Sequence, residues 1–133
     1  MAAKPMFVPA GTGPAYRVYG CVFRFLVSSE EAGGSYTTME ITVPPGAGAN
    51  MHVHDGEEEQ FYILQGELTY WIGDDTIEAS TGDFIHIPRG TLHGFKNKQT
   101  PAKLLATFSP ATGIEILFQQ DGELISDDVG SGR

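Results

Sequence analysis

Cysteine is nearly absent from this chain: Cys21 is its single occurrence in 133 residues. One thiol excludes an internal disulfide and leaves no cysteine set for a closed structural zinc site. Positive charge is scarce as well. Eight Lys and Arg stand against 17 Asp and Glu, a formal net charge of −9. That balance argues against nucleic acid or an anionic membrane surface as a partner. No window approaches the ~18 consecutive apolar residues of a spanning helix. The N-terminal stretch Met1 to Met6 has no long apolar run after its charge, so the default expectation is a cytoplasmic protein. Helical periodicity is missing beyond about two turns, and no internal repeat is visible.

What the chain does contain is alternation. Hydrophobic residues make up 41% and charged ones 19%, a globular composition, and the length fits one domain. Cys21, Phe23, Phe25 and Val27 share one face of a strand with Arg24 on the other, which reads Cys21 as a small core residue rather than a reactive thiol. Thr37, Met39, Ile41 and Val43 repeat the pattern, with Glu40 and Thr42 outward, until Pro44 and Pro45 end it. Glu59 to Ile72 reads as a hairpin broken at Gln65-Gly66-Glu67. Glu59, Phe61 and Ile63 face inward on its first arm, and Leu68, Tyr70 and Ile72 share a face on its second. Tyr62, Leu64 and Trp71 then face outward. Bulky apolar groups there call for a cover, either the N-terminal arm or a second copy, so a homodimer is expected. Lys103 to Phe108 is a further strand.

Three regions follow. Residues 1–19, with Pro5, Pro9, Gly11, Gly13 and Pro14, form an arm with at most short strands at Phe7-Val8 and Ala15 to Val18. Residues 20–120 form the folded body. Residues 121–133, acidic and glycine-bearing, are expected to be a flexible tail.

All four histidines, His52, His54, His86 and His93, lie between Gly46 and Asn97. His52 and His54 are two apart, so on a strand they point the same way and can converge on one ion. Glu59 follows in the next apolar run, and His93 comes after the turn Pro88-Arg89-Gly90. The histidine pair alone reads more readily as a surface feature of the acidic loop around Asp55, Glu57 and Glu58. With Glu59 and His93 added, the spacing is that of a metal site. Three imidazole nitrogens and one carboxylate suit a divalent ion, Fe, Mn, Ni, Co, Cu or Zn, and leave coordination positions open. His86 sits between the core-like Ile85 and Ile87, so parity turns it away from the site. Glu58 is close enough in sequence to compete with Glu59.

These residues also carry a resemblance. Gly46-x5-His52-x-His54-x4-Glu59-x6-Gly66 resembles the first cupin motif, and Gly82-x5-Pro88-x-Gly90-x2-His93-x3-Asn97 resembles the second. The segment around Pro110, Gly113, Glu115 and Phe118 is similar to the tail of single-domain cupins of the flavonol (quercetin) dioxygenase type. The resemblance implies an all-β double-stranded β-helix, or jelly-roll barrel, of two antiparallel sheets. It implies one divalent metal ion on His52, His54, Glu59 and His93. Arg89 is expected near the barrel end, and Gly90 and Asn97 as supports that do not ligate.

The activity this implies is a metal-dependent dioxygenase acting on a small planar or apolar oxygen-bearing compound. Glu59 would be a ligand or a base on an enolic hydroxyl, and Phe61, Tyr70, Phe84, Phe95 and Phe108 an apolar wall. Two other readings stand beside it. One is a non-redox isomerase, cyclase or lyase using the ion as a Lewis acid; the other is a non-catalytic binding module.

Overall fold

The computed structural model describes residues 3–126. In chain order these form β1 (Ala15–Val18), β2 (Cys21–Val27), β3 (Thr37–Val43), β4 (Gly48–His52), β5 (Glu58–Gln65), β6 (Glu67–Ile72), β7 (Asp75–Ser80), β8 (Phe84–Ile87), β9 (His93–Lys96), β10 (Ala102–Ser109), α1 (Glu115–Asp121) and β11 (Glu123–Ser126). One sheet has the order β11-β1-β2-β3-β10-β5-β8 and the other β4-β9-β6-β7. The two antiparallel sheets are the expected jelly-roll architecture.

Period-two alternation builds the core between them. β3 buries Thr37, Met39, Ile41 and Val43, and β10 buries Ala102, Leu104, Ala106 and Phe108. These faces meet in register, Met39 beside Ala106 and Ile41 beside Leu104. From the second sheet come Leu68, Tyr70, Ala79 and Phe95. Each fully buried side chain of the size of Ile41 or Leu104 contributes roughly 1.5–3 kcal/mol by leaving water. Cys21 is buried, as its strand parity predicts. Burial pushes its thiol up to about 11, opposed only weakly by its contact with the Gly48 carbonyl.

Several expectations are corrected. Glu59 to Ile72 is not a hairpin, because β5 pairs with β10 and β8 while β6 pairs with β7 and β9. Gly66 is a corner at which the chain changes sheets. Its φ is +88°, and a Cβ there would lie 2.5 Å from the Pro101 carbonyl oxygen, so only glycine fits. Ala15–Val18 is a short strand as expected, lying inside the larger sheet, whereas Phe7 and Val8 form none. The tail is structured at its start: Glu123–Ser126 pairs with β1, and residues 127–133 lie outside the described part. Tyr62 and Leu64 are exposed on the outer face of β5, while Trp71 is half-buried on the other sheet, opposite Gly94. The three therefore form no joint surface. Among the described residues no helix is long and apolar enough to cross a membrane.

Candidate metal centre

His52 ends β4 and His93 begins β9, and the two are cross-strand partners. Their ring centroids are 4.3 Å apart. The β4–β9 ladder shifts register between Ala49 and His52, the kind of irregularity that re-aims a side chain at a sheet rim. Gly48 permits the close approach, since a Cβ there would fall 2.1 Å from the Phe95 carbonyl oxygen. His54 lies beyond the end of β4 rather than on it, yet the alternation persists. Met51 and Val53 are exposed, and His52 and His54 half-buried. The His54 carbonyl accepts a hydrogen bond from the Gly90 N–H at 2.9 Å, tying the two motif loops together. Glu59 points inward from β5, in register with Phe108 of β10 and Ile87 of β8.

The four side chains converge. One ligand atom from each of His52, His54, Glu59 and His93 lies within 4.8 Å of all the others. His54 Nε2 is 2.9 Å from Glu59 Oε1, and His93 Nε2 is 2.5 Å from Glu59 Oε2. Every Nδ1 is engaged on the other side of its ring. His52 Nδ1 donates to the Asn50 carbonyl at 2.6 Å, His93 Nδ1 to the Thr91 carbonyl at 2.8 Å, and His54 Nδ1 to Glu57 Oε1 at 2.7 Å. A carbonyl can only accept, so Nδ1 carries the proton in His52 and His93. Each Nε2 is thereby left to face the centre. Outward anchoring of this kind sets tautomer and ring orientation in metal-binding histidines.

The electrostatics follow from packing one carboxylate among imidazoles. Burial would raise the Glu59 carboxyl, but His54 and His93, with ring nitrogens 2.9 and 2.5 Å from its oxygens, outweigh it and bring it down to about 2. His54 is raised, chiefly by its hydrogen bond to Glu59. For His93 burial pushes downward, and the Glu59 contact and the Thr91 carbonyl reverse the sign. His52, without a carboxylate partner of its own, is lowered by burial.

The donor set fits a metal ion. Glu59 Oε2 and His93 Nε2 are both fully buried and lack a hydrogen-bond partner despite their 2.5 Å separation. Two buried polar atoms that lie close together without a hydrogen bond between them are costly unless a third body satisfies both. A divalent cation does so, and three nitrogens with one oxygen leave it positions for other molecules.

Glu57 is the site residue that sequence spacing missed. It is 5% exposed, accepts the His54 Nδ1–H, and takes a second hydrogen bond from the Thr112 hydroxyl. Glu58, the expected competitor of Glu59, instead points outward to within 3.8 Å of His86 Nε2. His86 is exposed, as parity predicts. Asn97 is fully buried and donates to the Val43 carbonyl at 2.8 Å, holding the end of β3. Gly90 holds its turn at φ +76°. Arg89 is exposed and does not line the cavity.

His52, His54 and Glu59 open onto a cavity of about 320 Å³. Phe61, Phe95 and Phe108 line it, as expected. Two members of the predicted wall do not. Phe84 is 59% exposed on the outer face of β8, because Ile85 and Ile87 take the inward positions of that four-residue strand. Tyr70 is buried in the core against Phe61 and Phe95, away from the cavity. Burial, and then the charge of Glu59, push its hydroxyl well above the ordinary range. The far wall comes from α1 through Leu117, Phe118 and Asp121. Phe118 is wedged against Phe23 and Phe25, with ring centroids at 4.6 and 5.6 Å. Among the described residues no Lys or Arg lines the cavity.

Comparison with known proteins agrees with this geometry. The family model described as Cupin domain matches residues 39–108. Quercetin 2,3-dioxygenase of Bacillus subtilis (strain 168) is 25% identical over 108 residues, covering 81% of this chain and 32% of the relative. Quercetin 2,3-dioxygenase of Aspergillus japonicus is 27% identical over 113 residues, covering 80% of this chain and 32% of the relative. The chain thus spans about a third of the length of each. A crystal structure described as a predicted oxalate decarboxylase from Thermotoga maritima superposes with a TM-score of 0.73 at 24% identity, covering 79% of this chain and 99% of that one. At that identity the likeness shows the fold alone.

Proposed function

The chain belongs to the cupin family, and from that premise we propose that it is a metal-dependent dioxygenase. Its substrate would be a small, planar, largely apolar compound that carries an oxygen donor. One observation carries the reading: three imidazoles anchored outward through Nδ1 converge on Glu59, and His52, His54 and Glu59 open onto an aromatic cavity that has no cationic side chain among the described residues. The names of the two quercetin dioxygenase relatives point the same way.

His52, His54, Glu59 and His93 would hold the ion. When bound, it would supply dioxygen activation and a place for the substrate oxygen. Both oxygen atoms pass to the product in such a reaction, so no separate reductant is required. Phe61, Phe95 and Phe108 exclude water and orient the flat part of the substrate. Glu59 is assigned first as the anionic ligand. A carboxyl held down at about 2 retains a proton poorly, and service as a base requires it to leave His54 or His93. The substrate is a small molecule. A homodimer formed through the outer face of the larger sheet is part of the same proposal.

Metal analysis of protein purified without added metal or chelator tests the site, with a His52→Ala, His54→Ala variant as control. Near one equivalent of Fe, Mn, Ni, Co or Cu, lost in the variant, is expected. Oxygen uptake with 3-hydroxyflavone, a flat ketone with an adjacent hydroxyl, then tests the reaction. Full metal loading with no oxygen uptake on any planar hydroxy-ketone would sink the dioxygenase reading.

A further inference from the structure

Tyr19 stands out by its backbone. It is the one non-glycine residue with positive φ among the described residues, at 52°. Val18 and Cys21 are cross-strand partners, so Tyr19 and Gly20, with φ of 52° and 82°, form a two-residue hairpin loop between β1 and β2. Loops of this mirror-image kind favour Asn, Asp or Gly at the first position, because a Cβ is disfavoured in the left-handed region. A tyrosine there is strained, and burial does not compensate, since the residue is 80% exposed. Strain kept at an exposed position is a pointer to function.

The location supplies the function. Tyr19 lines the mouth of the cavity that holds His52, His54 and Glu59. Two other large apolar residues of the same lining are also open to solvent, Met51 at 43% and Leu117 at 55%. Phe61, Phe95 and Phe108, deeper in, are at most 6% exposed. The apolar lining therefore continues past the enclosed part of the cavity to an uncovered rim contributed by three separate segments. A ligand confined to the metal end leaves that rim wet. A flat apolar ligand that reaches the rim covers it.

We propose that Tyr19 is a specificity-determining residue. With Leu117 and Met51 it forms an apolar collar that grips the end of a planar ligand farthest from the metal, the tyrosine ring stacking on it. The assignment rests on the reading of the cavity as the site of a flat, apolar, metal-bound substrate, and it adds the requirement that the substrate extend to the mouth. Small dicarboxylates and other compact anions do not meet that requirement.

Tyr19→Asn separates this role from a structural one, because the two predict opposite signs. Asparagine tolerates the left-handed region, so the thermal midpoint of the variant should equal or exceed that of the parent, and its metal content should not change. Its affinity for 3-hydroxyflavone, followed by the ligand's absorbance in the anaerobic metal-loaded protein, should fall about three- to tenfold. Leu117→Ser should weaken the same probe, and Tyr19→Phe, which keeps the ring, should bind it as the parent does. Unchanged affinity in Tyr19→Asn overturns the collar while leaving the substrate reading intact. So does a loss of stability or metal in that variant, which marks the tyrosine as structural. If the metal-loaded parent itself fails to bind the probe, the substrate reading falls and takes the collar with it.

Discussion

Glu57 Oε1 accepts the Nδ1–H of His54 at 2.7 Å, and this contact ties a buried carboxylate outside the ligand set to a histidine within it. Glu57 is itself fixed by the Thr112 hydroxyl. The chain Thr112–Glu57–His54 thus runs from the segment before α1 to the candidate metal centre. Glu57→Ala removes the acceptor and frees the His54 ring to rotate. Metal affinity, measured by competition with a chelating dye, should fall about 10- to 100-fold. Glu57→Gln, which retains an acceptor oxygen, should lose less. Equal affinity in both variants and the parent would show that His54 orientation does not limit metal binding.

The pH dependence of the metal-stripped protein has a definite sign. His54 and His93 have raised values in the folded state. Their contribution is fully present below the ordinary histidine value of 6.5 and is lost as pH rises through the folded values. His52 is lowered and works in the opposite sense. With two groups against one, the urea midpoint in chelator should decline as pH rises above 6.5. Glu59, held down at about 2, stabilises above 4.5 and loses that effect as pH falls towards 2. Glu59→Gln should flatten both limbs. Metal binding needs neutral imidazoles, so added metal should stabilise more as pH rises.

Phe61 and Phe84 were expected to do the same job, and the fold gives them opposite ones. Phe61 is 3% exposed and Phe84 59%. Phe61→Ala should cost about 3–5 kcal/mol through cavity formation. Phe84→Ser, compared with the parent in a Tyr62→Ser background that removes any dimer, should stay within about 0.5 kcal/mol. Urea denaturation of the two variants checks both; a large loss for Phe84→Ser would place that ring in the core.

Phe84 has a second consequence. It is the cross-strand partner of Tyr62, which pairs in turn with Leu105 of β10, so an apolar row crosses three strands on the outer face of the larger sheet. The proposed homodimer would cover it. Light scattering during gel filtration should give twice the chain mass for the parent and one chain mass for a Tyr62→Ser, Phe84→Ser variant. A monomeric parent would sink the dimer proposal.

The sequence by itself determined what depends on local period and fixed spacing. Alternation over Thr37 to Val43 and over Glu59 to Ile63 set the inward faces, because successive side chains on a strand must point oppositely. The spacing of His52, His54, Glu59 and His93 marked the cluster that could hold a metal ion, and strand parity turned His86 outward. Sheet membership was a tertiary decision. Whether β5 and β6 form a hairpin or a corner depends on what Gly66 meets across space, the backbone of Pro101 and Ala102, which no local pattern records. Phe84 lies outside the cavity because Ile85 and Ile87 hold the inward positions of β8 by parity. Glu57 was hidden because its partner contact needs the loop after β4 to fold back, and α1 because the rings its Phe118 packs against, Phe23 and Phe25, lie far earlier in the chain. Ladder pairing and long-range closure join residues distant in the chain, so those features became visible only in three dimensions.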